Sequence, residues 1–181
     1  MRFRECSTSI EMAIRILGID PGSRITGFGV VATEANRSRY IAGGYISVPK
    51  GDLANKLKTI FEGVSQVIQE YRPDEMAVED VFFHRNAASA LKLGQARGAA
   101  LMAGVLQALP IYEYAPTAIK LAVTGKGNAT KEQVQYMIRI LLNLPEPPKS
   151  DVADAFAAAL CHGHTRQTRI RITGGSSVAG W

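Results

Sequence analysis

The sequence predicts an α/β domain: a five-stranded mixed sheet, three antiparallel strands followed by two parallel ones, with helices on both faces. Three observations carry this. The chain opens with three strand-like runs joined by short turns, the pattern of a meander. Its apolar spacing then switches to steps of three and four residues, the period of an amphipathic helix. Beyond that point, short apolar strands alternate with helical stretches, and Met76-Ala77-Val78 is apolar without a break, as in a parallel strand covered on both sides.

Strand one, 14–20, ends in Asp20 and turns at Pro21-Gly22 into strand two, 25–32. Taken alone, Asp-Pro-Gly suits a tight turn and needs no function. Gly27-Phe28-Gly29-Val30-Val31-Ala32 fits GxGxxA, but inside a strand, which fails the context of a dinucleotide site. A polar turn at 36–39 precedes strand three, 40–48. The first helix follows over 53–71, capped by Asp52 and stopped by Pro73. Strand four is 75–79. A long helix of small residues, 87–109, leads to Pro110 and strand five, 111–114; its slender side chains let a neighbour approach, either the sheet or a second copy of the chain. Pro116 opens a short helix. Thr130-Lys131-Glu132-Gln133 reads as a capping box opening another. The last helix spans 151–163, with Ser150 as its cap.

The chain has 181 residues, 46% of them hydrophobic, enough for one domain with a proper core. A formal charge of +5 leans toward an anionic partner. Cys6 and Cys161 form no CxxC, and Cys161-His162-Gly163-His164 offers too few ligands for zinc, so it reads as the frayed end of a helix. Residues 1–11 lack the apolar core of a signal peptide and read as a disordered extension, with Met12 a second candidate start. Residues 165–181 read as a disordered basic tail. The longest uncharged stretch, 98–112, falls short of the ~20 apolar residues of a membrane span, so a cytoplasmic location is expected.

Four acids need a reason. Asp20 and Glu79 close strands one and four, where sites of open parallel sheets gather. Asp151 and Asp154 stand three apart at the head of the last helix, hence on one face. Asp151 has a structural explanation, a negative charge at a helix N-terminus. Asp154 does not: it lies among Val152, Ala153, Ala155 and Phe156, where a lone carboxylate is costly. Clustered carboxylates repel one another unless a cation neutralises them, and oxygen donors without His or Cys suit Mg²⁺ or Mn²⁺. Two such ions can serve phosphodiester hydrolysis. Gly125-Lys126-Gly127-Asn128 lacks the GK[ST] of a nucleotide loop; its Lys126, with Lys120 and Lys131, suits DNA phosphates. Phe82 and Phe83 follow a sheet end and cannot easily both point inward, which leaves one ring for stacking on a base.

Gly18-Ile19-Asp20-Pro21-Gly22-Ser23, Ala77-Val78-Glu79-Asp80-Val81-Phe82, Ala90-Leu91-Lys92-Leu93-Gly94-Gln95-Ala96-Arg97-Gly98 and Asp151-Val152-Ala153-Asp154-Ala155 together closely resemble the RuvC family. These are bacterial Holliday junction resolvases, or crossover junction endodeoxyribonucleases, of the RNase H-like superfamily. The resemblance runs from about residue 12 to 164. It implies an RNase H-like nuclease domain over 12–164, a homodimer on four-way junction DNA, and symmetric nicking of two opposing strands that leaves 5′-phosphate and 3′-hydroxyl ends. It also implies a tetrad of Asp20, Glu79, Asp151 and Asp154 that is both catalytic and metal-binding, holding two Mg²⁺ with Mn²⁺ as substitute. Phe82 would stack on a junction base, and Lys120 and Lys131 would hold DNA near the scissile phosphate. The RuvA–RuvB branch-migration motor would be a partner, and a short T-rich consensus the preferred cutting site. Rival readings are a non-catalytic junction-binding module, a related nuclease acting on RNA, and an actin-like ATPase, which would need two such domains.

Overall fold

The computed structural model describes residues 13–35, 37–80 and 87–173. The chain runs β1 (Ile14–Asp20), β2 (Ile25–Glu34), β3 (Arg37–Ser47), α1 (Leu53–Tyr71), β4 (Glu75–Glu79), α2 (Ala87–Val105), β5 (Ile111–Tyr114), α3 (Pro116–Thr124), α4 (Lys131–Leu141) and α5 (Ser150–Thr173). The strands lie in the order β3-β2-β1-β4-β5. β1, β2 and β3 pair antiparallel, and β4 joins β1 and β5 in parallel, as expected.

Strand alternation divides the core. Leu17 and Ile19, with Met76 and Val78, face α1 and α2; Ile16 and Ala77 face α3, α4 and α5. Each large aliphatic side chain fully buried here contributes roughly 1.5–3 kcal/mol. On β1, therefore, Gly18 and Asp20 share the α5 side with Ile16. A Cβ on Gly18 would sit 1.9 Å from the Ala155 carbonyl oxygen, and one on Gly27 2.1 Å from that of Asp151. These glycines let α5 lie directly on the strands. Its own Ala153, Ala155 and Ala157 through Ala159 are wholly buried.

Local signals held in several places. The Asp52 side chain accepts from the Asn55 amide at 2.9 Å, and the Thr130/Gln133 capping box is complete. Elsewhere the structure corrects the sequence reading. β3 begins at Arg37, inside the expected turn: Glu34 pairs with Arg37, Ala35 takes a left-handed conformation, and Thr33 and Ser38 hydroxyls meet at 2.9 Å. The charges that looked like a loop belong to an edge strand, where they are favoured. α2 ends at Val105; the Leu109 amide closes on the Gly104 carbonyl and Ala108 is left-handed, a Schellman-type stop short of Pro110. Ser150 does not cap α5: its buried hydroxyl has no hydrogen-bond partner, while the Lys149 carbonyl accepts from Ala153.

The largest correction is the end of α5, which continues through Thr173, so the expected domain edge at 164 falls inside a helix. His162 is buried rather than frayed. Its Nδ1 lies 2.6 Å from the Tyr114 hydroxyl and its Nε2 2.5 Å from Glu75, and Arg166 donates to the same Glu75 carboxylate at 3.2 Å. Although burial opposes it, the bond and charge of His162, with Arg166, hold the Glu75 carboxyl below its ordinary value. These contacts come from β4 and β5, so no periodicity within 165–173 announces them. Residues 1–12 and 174–181 lie outside the described residues, as do the expectations attached to them.

Candidate active site

The turn after β1 is fixed by Thr26, a fully buried residue whose hydroxyl donates to the Gly22 carbonyl at 3.2 Å. Asp20 thus ends its strand at a defined point. In the parallel β1–β4 register Ile19 lies beside Val78, so the next residues, Asp20 and Glu79, are neighbours on the α5 face. α5 runs antiparallel to these strands. Its first turn, with Asp151 and Asp154, therefore covers their carboxyl ends, and its His162 reaches back to Glu75 at the start of β4.

Asp20, Glu79 and Asp154 line one cleft of about 340 Å³ together with Lys120, Lys131, Asp80 and Pro116. Asp151 does not line it but lies within electrostatic reach of Asp20 and Asp154. Lys131 Nζ stands 3.9 Å from Asp154 Oδ2. Lys120, on α3, is half-buried. Lys126 is exposed in the turn after α3, where its backbone N–H donates to the Thr124 hydroxyl; it does not line the cleft. Phe82 lies outside the described residues. Asp80 and Arg97 were missed by sequence reasoning. Arg97 stood inside a recognised motif, yet only the fold brings it to the end of β4.

Burial, then the charges of Asp154, Glu79 and Asp151, push the Asp20 carboxyl up to about 8, against the pull of Lys131. Burial and Asp154 raise Glu79, with Lys120 and Lys131 opposing. Burial also raises Asp154, with Lys131 and Lys120 opposing and Asp151 adding to the rise. Two lysines do not neutralise this crowd. The donor set fits a hard divalent cation: carboxylates only, held against their own repulsion. Among the described residues no group of three or more acidic, histidine or cysteine side chains stands arranged to hold a metal ion. Mg²⁺ does not ask for such a group, because it retains waters and takes phosphate oxygens beside one or two carboxylates.

A stability prediction follows from Asp20. Its carboxyl takes up a proton near 8 when folded but near 3.8 when unfolded, so between these values the folded state binds more protons. Metal-free stability therefore falls as pH rises from about 4 to about 8. Asp20→Asn removes that loss: in EDTA at pH 8 the variant melts above wild type, and at pH 4 the two melt together. A gap that does not change with pH would contradict this assignment.

A five-stranded sheet of this order, with carboxylates at the ends of two central parallel strands and on the helix laid across them, is an RNase H-like fold. Residues 16–162 match the family described as crossover junction endodeoxyribonuclease RuvC. The chain belongs to the RuvC family, a family of nucleases. It is 53% identical over 162 residues to the RuvC of Aeromonas hydrophila, covering 90% of this chain and 94% of that one. The RuvC of Shewanella oneidensis is 53% identical over 163 residues, with the same coverage. Among solved structures, T. thermophilus RuvC in complex with Holliday junction substrate superposes with a TM-score of 0.81 at 37% identity, over 86% of this chain and 96% of that chain. The yeast mitochondrial Holliday junction resolvase Ydc2 shares the fold at 14% identity and a TM-score of 0.62, over 92% of this chain and 87% of that one.

Proposed function

We propose that this chain resolves four-way DNA junctions by metal-dependent hydrolysis, nicking two opposing strands symmetrically to leave 5′-phosphate and 3′-hydroxyl ends. The observation that carries this is the cleft in which Asp20, Glu79 and Asp154 crowd together beside Lys120 and Lys131. Asp20, Glu79, Asp151 and Asp154 would hold two Mg²⁺ ions, with Mn²⁺ as substitute. Such ions would supply a water nucleophile at neutral pH and charge neutralisation at the leaving oxygen. Lys120 and Lys131 set positive charge at the rim of the acids, where a scissile phosphate would lie. The amino end of α4, beside Lys131, adds its partial positive charge. Lys126, exposed in the preceding turn, would hold a phosphate further along the strand. Phe82 would stack on a junction base.

Two opposing cuts ask for two clefts, hence a homodimer. Leu91, Met102 and Val105 of α2, with Leu106 just beyond its end, are all exposed apolar side chains and would form the contact. Association with RuvA–RuvB is part of the same proposal, and the family likeness supports it. No described helix is long and apolar enough to cross a membrane, and we place the protein in the cytoplasm with its DNA.

The test is cleavage of a synthetic immobile four-way junction in Mg²⁺ and in EDTA, beside duplex DNA and duplex RNA. Paired nicks that need metal and that ligase can seal are the expected result. Binding without cutting, across several metals and junction sequences, would leave a junction-binding module. Preferential cutting of RNA would move the chain to a different substrate.

A further inference from the structure

On the far side of the sheet from the cleft, one side chain holds the end of β4. Arg97 of α2 is only 17% exposed. Its Nε donates to the main-chain carbonyl of Glu79 at 3.4 Å. A terminal nitrogen lies 3.5 Å from Asp80 Oδ1 and also pairs with the Glu113 carboxylate. Alternation explains the arrangement. Val78 and its β5 neighbour Glu113 stand on the α2 side, whereas the Glu79 side chain points the other way, toward α5. Arg97 therefore grips from behind the main chain of the residue whose carboxylate enters the cleft. The β4–β5 ladder runs through that point, with Glu79 beside Tyr114 and the Asp80 amide donating to the Tyr114 carbonyl, while the β1–β4 register ends one residue earlier at Ile19 and Val78.

We propose that Arg97 is a positioning residue for Glu79: through the fork linking the Glu79 carbonyl, Asp80 and Glu113 it sets where the Glu79 carboxylate stands opposite Asp20, and so tunes the affinity of the site for its divalent cation. This rests on the proposed role of Glu79 as a metal ligand. A guanidinium is suited to the task because its donors are fixed in one plane and reach several acceptors at once; an ammonium presents a single point of charge. Partners that orient a metal ligand typically change metal affinity or activity by about 10–100-fold when removed.

The test compares wild type, Arg97→Met, Arg97→Lys, Glu113→Gln and Glu79→Gln. Three quantities are read: Mn²⁺ affinity of the DNA-free protein by calorimetry, the Mg²⁺ dependence of single-turnover junction cleavage, and junction affinity in EDTA. Arg97→Met is expected to weaken Mn²⁺ binding and shift the Mg²⁺ midpoint upward by about tenfold or more, with junction affinity within about twofold of wild type. The cutting rate recovers in part at high Mg²⁺. Arg97→Lys and Glu113→Gln fall between. An Arg97→Met protein with wild-type Mn²⁺ affinity and midpoint overturns the proposal, whether or not its melting temperature drops, because a purely structural tie would lower stability and leave the midpoint in place. A Glu79→Gln protein that binds Mn²⁺ and cuts like wild type would remove the reading of Glu79 itself, a distinct failure.

Discussion

Asp154→Asn is expected to lower the single-turnover rate of junction cutting on the order of 10³-fold while leaving junction affinity in EDTA within about a factor of two. The substitution keeps the size and shape of the side chain and removes one negative charge from a cleft already short of positive charge. Two effects on stability compete. The ion pair with Lys131 is lost, but Lys131 is 68% exposed and the separation is 3.9 Å, so that pair contributes little. Repulsion on Asp20 is relieved, and Asp154 is the largest of the charges raising it. Where Asp20 is ionised relief outweighs loss, so in EDTA at pH 8 the variant should melt no lower than wild type. An inactive, stable, junction-binding protein would separate chemistry from folding. A variant that cuts at the wild-type rate would remove Asp154 from the machinery.

Gly18→Ala is the second large effect, and it acts through the backbone. The added Cβ would lie 1.9 Å from the Ala155 carbonyl oxygen and 2.9 Å from the Ala159 nitrogen. Both are main-chain atoms of α5, so no side chain can swing aside and the helix itself must lift. We expect a loss of about 3 kcal/mol, the upper end for overpacking. The displaced residue follows Asp154 directly, so cutting should fall as well. A misplacement of about 1 Å can cost about 10²-fold in rate. Differential scanning calorimetry and single-turnover cleavage read the two losses. An unchanged melting temperature with full activity would show that α5 is not seated on β1 as described.

Much of this arrangement was legible because it is written in local periods. Asp20 stood out as the carboxylate closing a short apolar strand, and Asp52, Thr130 and Gln133 marked helix starts by chemistry that acts within a few residues. An acid amid the buried run around Asp154 was visible as a cost without a structural return. What stayed hidden depends on partners distant in sequence. α5 continues past Gly163 because Glu75 of β4 holds both His162 and Arg166. Arg97 looked like one basic residue in an alanine-rich helix; its meaning lies in Glu79, Asp80 and Glu113, which only the assembled sheet brings within reach. Edge strands mislead for a related reason, since the charges of Arg37 and Arg39 mimic a loop.

β1 is hydrogen-bonded along both edges, to β2 and β4, and covered on both faces. Backbone enclosed in this way exchanges its amide protons with solvent only through the most extensive openings of a protein, while edges and helix ends exchange through small local ones. Asp20 thus belongs to the part of the molecule that comes apart last. Fraying of β3, or of the distal turns of α5, leaves the acids assembled. Heat or denaturant is then expected to part Asp20 from its strand neighbours only together with the fold, whereas Asp151 and Asp154, in the first turn of α5, open with the end of their helix.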